Sequence, residues 1–150
     1  MDSGTKLPKK HMYIILVSLS FMMLSMSMET MMRVKDIAMF ESWLGFQPEI
    51  GLTKDNGFDI YLTLQLSRYF QMVIIPMALG IHTYFAYAKI RINKLFVFMW
   101  TVLLGGGLAF IVVEKQFGSI FFYVNIGVYM ILLITILSLL SVIDQRKNIS

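Results

Sequence analysis

Residues 120–143 read "IFFYVNIGVYMILLITILSLLSVI", a run without a single charged side chain. A helix that crosses the hydrocarbon core of a bilayer needs about 20 apolar residues. Three further runs of this kind occupy residues 12–31, 69–88 and 95–113, and Glu29 is the only Asp, Glu, Lys or Arg residue in them. Helices of soluble bundles have an apolar stripe, whereas these runs are apolar around the whole helix. The sequence therefore predicts an all-α integral membrane protein, a four-transmembrane-helix bundle.

The overall composition agrees with one membrane domain over residues 1–150. Charged residues make up 15% of the chain, against about 25% in a soluble domain, and the mean hydropathy is +0.71. The chain has no cysteine, which excludes a disulfide, a dithiol redox centre and a cysteine-based metal site. Frequent methionine, isoleucine and lysine indicate an AT-rich genome and a bacterial source.

The basic residues predict how the chain is threaded. Positive charges near membrane ends mark the cytoplasmic side. The segments before the first run, between the second and third, and after the fourth carry eight basic and two acidic residues, a net charge of +6. The remaining segments, together with Glu29 at the end of the first run, carry five basic and seven acidic residues, a net charge of −2. We expect a multi-pass protein of the cell membrane with both termini in the cytoplasm.

The first run also resembles a secretory signal peptide, because "KLPKK" precedes it. Its apolar part is longer than a typical signal sequence, however, and "SMSMET" is a poor cleavage site. A retained membrane span is therefore favoured over a cleaved leader.

Residues 34–67 form the only sizeable segment between predicted spans. Ile37, Phe40 and Leu44 recur at helical spacing with Trp43 beside them, which predicts a short amphipathic helix at the outer interface. Gln47-Pro48 and "KDNG" (54–57) indicate a loop and a turn. Residues 58–66, "FDIYLTLQL", alternate as a strand does, but a lone hairpin is marginal. A helix continuing into the second span is narrowly favoured.

A cluster of methionines near the end of the first span raises the question of a soft-metal site. At 100° per residue, Met22, Met26, Glu29 and Arg33 share one helix face, while the other methionines point elsewhere. Thioethers select monovalent copper, but Arg33 lies four residues beyond Glu29, the spacing of a favourable ion pair. A cation held against the carboxylate opposes metal binding. We therefore expect an ion pair at the outer interface, and no metal or cofactor.

Polar residues within spans are functional candidates, because they are costly there. Arg68, Gln71, His82 and Lys89 fall on one side of the second helix, and Asn125 lies near the outer end of the fourth. His82 has two readings: a proton relay or substrate contact, or a hydrogen bond to a neighbouring helix that fixes packing. The packing role is favoured.

The third span carries small residues every four positions. Thr101, Gly105 and Ala109 form a face that lets another helix approach closely. Three consecutive glycines at 105–107 leave a second reading open, a local break of the kind that transporters use at substrate sites.

The function that these patterns favour is not enzymatic. The sequence contains no catalytic constellation on one face, and its basic residues sit at membrane boundaries rather than in a nucleic-acid-binding stripe. The threading resembles that of claudins and of the vitamin K epoxide reductase type, but both depend on cysteines, so the likeness is topological. We expect an accessory, regulatory or assembly subunit that docks onto another membrane protein or onto itself. The alternative is a small oligomeric channel or transporter that uses the polar face of the second helix.

Overall fold

The computed structural model describes residues 5–46, 54–113 and 119–147. These residues form five helices and no strand: α1 (Lys9–Lys35), α2 (Ile37–Gly45), α3 (Lys54–Ala88), α4 (Lys94–Val113) and α5 (Ile120–Lys147). All except α2 are long and apolar enough to cross a membrane. The chain is therefore an all-helical, multi-pass membrane protein by the length and composition of its helices. The predicted loop at Gln47-Pro48 and the link at 114–118 lie outside the described residues.

Helix α1 is central to the bundle. It packs extensively against both α3 and α5, and α5 packs in turn against α4. Helices α3 and α4 touch only sparsely, although the short "KIRINK" link between them predicts close antiparallel neighbours. The bundle is thus closed on three sides, and a cleft remains on the fourth.

One end of the bundle, here called the basal end, holds the chain's first described residues. Thr5 and Ile92 exchange two backbone hydrogen bonds of 2.8 Å, which ties the N-terminal segment to the α3–α4 link. Lys94 at the start of α4 pairs with Asp144 near the end of α5 at 2.8 Å. The start of α1, the α3–α4 link and the end of α5 therefore share this end, as the four-span threading requires.

The opposite, apical end is capped by α2. The Asp36 side chain accepts a hydrogen bond from the Met39 backbone N–H at 3.1 Å and so starts the helix. Phe40 is buried against Phe58 and Tyr61 of α3, with ring centroids 5.5 Å away in both cases. A helix over this segment is confirmed, and its aromatic side faces α3. Its position at the outer membrane interface stays a prediction.

Two further contacts fasten this cap to the bundle. The Tyr61 hydroxyl donates to the Arg33 carbonyl oxygen at 3.0 Å, joining α3 to the end of α1. Lys54 and Glu41 form an exposed ion pair of 2.7 Å between α3 and α2. The Glu41 carboxylate, through this hydrogen bond and its charge, raises the pKa of Lys54 above its ordinary value.

Residues 58–66 are helical, which confirms the narrowly favoured prediction. The alternating apolar residues do not form a buried face, because Phe58, Ile60 and Leu64 are exposed. The buried residue of this segment is Tyr61, which lies between them in the sequence. The turn predicted at "KDNG" is wrong, since α3 begins at Lys54. Short polar residues are favoured near helix starts in general as well as in turns, because such side chains can accept hydrogen bonds from unpaired backbone N–H groups.

Apolar side chains fill the middle of the bundle. Lipid tails are as apolar as leucine, so close packing rather than escape from water holds such helices together. The most deeply buried of these side chains come from all four long helices, and none of them is more than 3% exposed: Ile15, Leu19, Met22, Leu79, Leu104, Leu132, Ile136 and Leu139.

Candidate functional site

A cavity of about 560 Å³ opens at the apical end, where α1, α2 and α5 meet. We call it the apical cavity. Its walls combine charged and apolar side chains: Glu29, Met32, Arg33, Asp36, Met39, Ser119, Ile120 and Phe121. Met32, Met39 and Ile120 are exposed, so the apolar part of the wall reaches the outside of the bundle. The cavity can therefore accept a molecule that has both polar and apolar parts.

A buried ion pair forms part of its wall. Arg33 Nη2 donates to Glu29 Oε1 at 2.8 Å, and the side chains are 15% and 9% exposed. The predicted pairing of these residues is confirmed. A carboxylate this deeply buried requires a cation with good hydrogen-bond geometry, and Arg33 supplies it from the next turn of the same helix.

The methionines of α1 divide between the interior and the surface. Met22 and Met26 are buried on the same face as Glu29, whereas Met28, Met31 and Met32 are exposed. Spread around the helix in this way, they fill different environments, as expected for a flexible apolar side chain. Among the described residues, no group of three or more His, Cys, Asp or Glu side chains is arranged to hold a metal ion.

The α3–α4 cleft is the second concave region. It has a volume of about 310 Å³ and lies between the apical halves of these helices, lined by Gln71, Met72, Ile75, Gly106, Gly107, Phe110, Ile111 and Tyr129. Gln71 is exposed, so its amide lies at the open side. Tyr129 of α5 is buried, and a Cβ on Gly107 would lie 2.7 Å from its hydroxyl oxygen. Glycine at 107 is what allows this ring to lie against α4.

His82 lies in a different environment from Gln71, although both belong to the predicted polar face. The Trp100 indole N–H donates to His82 Nδ1 at 3.0 Å, and Phe96 contacts the imidazole edge-on with centroids 5.0 Å apart. Because an indole nitrogen only donates, the proton of a neutral His82 lies on Nε2. The packing role of His82 requires a hydrogen bond to a neighbouring helix, and the bond from Trp100 of α4 is of this kind. Eleven residues, about 16 Å of helix, separate His82 from Gln71.

Arg68 and Asn125 occupy the apical half of the bundle. Arg68 is half-buried on α3, and Asn125 on α5 is 1% exposed. Within the described part of the chain, neither amide atom of Asn125 has a hydrogen-bond partner, nor has the Ser25 hydroxyl of α1. The antiparallel contact between His11 and Ser138 sets the register of α1 and α5, and it places Ser25 and Asn125 at similar depth.

The small-residue face of α4 is only partly covered by the helices of its own chain. Thr101 and Gly105 are half-buried and Ala109 is exposed. A Cβ built on Gly105 or on Gly106 would meet no atom within 4 Å, in contrast to Gly107. The reading of these glycines as a helix break is wrong, because α4 is continuous from Lys94 to Val113.

Sequence reasoning missed several residues of these sites. Asp36 and Ser119 line the apical cavity, and Tyr129 forms part of the cleft wall. Because the fourth span is apolar all round, its sequence does not identify Tyr129 as a residue of the cleft wall. Trp100 is an exception: an indole inside a span needs a hydrogen-bond acceptor, and His82 is the strongest candidate on the neighbouring span.

Comparison of the chain with known protein families, curated proteins and solved structures finds no match.

Proposed function

We propose that the protein is a non-enzymatic accessory subunit of the membrane that docks against another transmembrane helix through α4. The observation that carries this proposal is the position of Thr101, Gly105 and Ala109 on a flank of α4 where a Cβ on Gly105 would meet nothing within 4 Å. In lipid, helices associate where small residues let backbones approach closely. The occupant of this face is a helix of a second copy or of a larger membrane protein.

The interior of the bundle supports a docking role over chemistry. Its middle is filled with apolar side chains, and several of its polar groups bind one another. Glu29 pairs with Arg33, His82 bonds Trp100, and the Tyr69 hydroxyl of α3 lies 2.9 Å from the Ser27 hydroxyl of α1. These contacts join or stabilise helices rather than converge on a reacting centre.

Two adjacent glycines provide a matched test. Gly105→Leu puts a bulky side chain on the small-residue face, whereas Gly106→Leu puts the same side chain about 100° further round α4, and both positions have open space in the monomer. The association of labelled protein is measured by energy transfer in liposomes and by blue-native electrophoresis of membranes that contain the natural partners. We expect Gly105→Leu to abolish association and Gly106→Leu to preserve it. A wild-type protein that is monomeric and without partners in both assays would refute the proposal.

A channel or transporter is the second candidate, and the exposed amide of Gln71 favours it. An amide on a membrane-spanning helix that faces outward needs a polar partner or water. Since the middle of one bundle is apolar, the pathway would run between copies along α3. Reconstituted vesicles should then show a solute flux that falls in Gln71→Leu and changes in His82→Ala. Leakage equal to that of empty vesicles excludes this function.

The orientation that we propose places the basal end in the cytoplasm of the cell that makes the protein, with the chain in its plasma membrane. The basal end carries the excess of basic residues, including Lys6, Lys9 and Lys10 before or within the first turn of α1 and Arg91 in the α3–α4 link. Tags on both termini should be protected from an impermeant reagent in intact cells. Labelling of both termini from outside would show the opposite orientation. Labelling of only one terminus would show that the number of spans is odd.

A further inference from the structure

Among the described residues that line the apical cavity, acidic side chains outnumber basic ones. Two carboxylates, Glu29 and Asp36, and one guanidinium, Arg33, line it together with the first residues of α5. One carboxylate oxygen of Glu29 accepts from Arg33, and one of Asp36 accepts from the Met39 backbone N–H. A bound molecule that complements this wall carries both a cationic group and an anionic group.

The depth of the cavity matches the boundary of the hydrocarbon core. Glu29 lies 7–8 residues beyond the midpoint of the first apolar run, which is about 11 Å along the helix. Half of the hydrocarbon core is about 15 Å thick. Glu29 therefore lies just inside the level at which lipid headgroups begin, and Met32 and Arg33, about 16–17 Å from the midpoint, lie at that level.

From this placement we propose that the apical cavity binds the headgroup of a zwitterionic phospholipid with a primary amine, a phosphoethanolamine headgroup. The ammonium has three N–H donors and faces the carboxylates of Glu29 and Asp36. The phosphate lies beside Arg33 and the start of α5, where Ser119 lines the cavity and the first backbone N–H groups of the helix favour an anion. A volume of about 560 Å³ suits a headgroup with its glycerol.

The same chemistry discriminates against the other abundant headgroups. A choline headgroup has the same charges but no N–H to donate to the carboxylates, and it is bulkier. A glycerol headgroup leaves the phosphate as its only charge, so the excess carboxylate in the cavity repels it. Binding of phosphatidylethanolamine is therefore expected to be about tenfold tighter than that of either competitor, the size of one charge-assisted hydrogen bond.

Native mass spectrometry of the full-length protein in mild detergent tests this. The protein is titrated separately with dioleoyl phosphatidylethanolamine, phosphatidylcholine, phosphatidylglycerol and free phosphoethanolamine. Glu29→Gln and Asp36→Asn each remove one carboxylate charge from the cavity. Asparagine caps a helix as well as aspartate does, so Asp36→Asn retains the start of α2. Glu41→Gln is the matched control, because Glu41 lies on α2 outside the cavity and pairs with Lys54.

We expect the wild type to bind its first phosphatidylethanolamine about tenfold more tightly than phosphatidylcholine. This preference should disappear in Glu29→Gln or Asp36→Asn and remain unchanged in Glu41→Gln. Far-UV circular dichroism checks that each variant is folded. If Glu29→Gln unfolds, the lipid preference of Asp36→Asn alone tests the proposal. Equal binding of the three lipids, or a preference that survives in a folded Asp36→Asn, overturns the proposal. Free phosphoethanolamine that binds as tightly as the lipid overturns the assignment to a membrane component. The assay involves no association between copies, so its result is independent of docking through α4.

Discussion

Replacing Gly107 by alanine tests whether the contact between α4 and α5 depends on a missing side chain. The new Cβ would lie 2.7 Å from the Tyr129 hydroxyl oxygen and 3.1 Å from two carbons of its ring. Tyr129 is 1% exposed, and its ring is rigid. The two helices must separate or the ring must leave its rotamer.

The size of this effect follows from two opposing terms. Overpacking a tightly filled interior costs about 1–3 kcal/mol. Alanine also gains up to about 1 kcal/mol over glycine in a helix, and this gain is common to neighbouring positions of α4. Gly106→Ala is the matched control, because its Cβ would have no atom within 4 Å. The difference in unfolding free energy between the two variants isolates the clash and is expected to be about 1–3 kcal/mol, with Gly107→Ala the less stable.

Unfolding of the purified protein by sodium dodecyl sulfate in mixed micelles, followed by tryptophan fluorescence, measures this difference. Combining Gly107→Ala with Tyr129→Phe removes the oxygen at 2.7 Å but leaves the ring carbons, so the double variant should recover part of the lost stability. Equal stability of Gly107→Ala and Gly106→Ala would refute the packing argument. A double variant with no recovery would show that the hydroxyl is not the group in conflict.

Three further predictions concern individual hydrogen bonds. His82→Ala leaves the buried Trp100 N–H without an acceptor and should lower the unfolding free energy by about 1–3 kcal/mol, whereas His82→Gln, with an oxygen acceptor, should lose less in the same unfolding assay. Tyr69→Phe removes the hydroxyl contact with α1 and should cost about 0.6 kcal/mol, the average for hydrogen bonds between membrane helices; a loss above 2 kcal/mol would contradict this. Because the pKa of Lys54 is raised by Glu41, the ion pair stabilises the cap at neutral pH and is lost as the pH rises through that raised pKa. Near-UV circular dichroism should detect this alkaline loosening in the wild type but not in Glu41→Gln.

The sequence was sufficient for the number and position of the membrane helices. The apolar runs at 12–31, 69–88, 95–113 and 120–143 all lie within helices of the structure. Helix length and apolar character are properties of each segment alone, so they can be read without the rest of the fold. The ion pair of Glu29 and Arg33 was predictable for the same reason, because both residues belong to one helix.

The packing faces were not predictable, because a helix that is apolar all round has no pattern that marks its buried side. The regular spacing of Thr101, Gly105 and Ala109 suggested close approach, yet within the chain the close approach occurs at Gly107. The residue that requires it, Tyr129, lies on a different helix and is identified only by the register between them. The apical cavity was missed likewise, since it draws on the ends of three helices.

The ion pair of α1 also matters for the order in which the chain is made. Of the five helices, α1 leaves the ribosome before the others, and one of its two main neighbours, α5, leaves after them. A carboxylate that relied on a later helix for its counter-charge would have to wait in lipid uncompensated. With Arg33 one turn away on the same helix, the Glu29 charge is compensated from the start. Helix α1 can therefore enter the bilayer alone, and the later helices can pack against it.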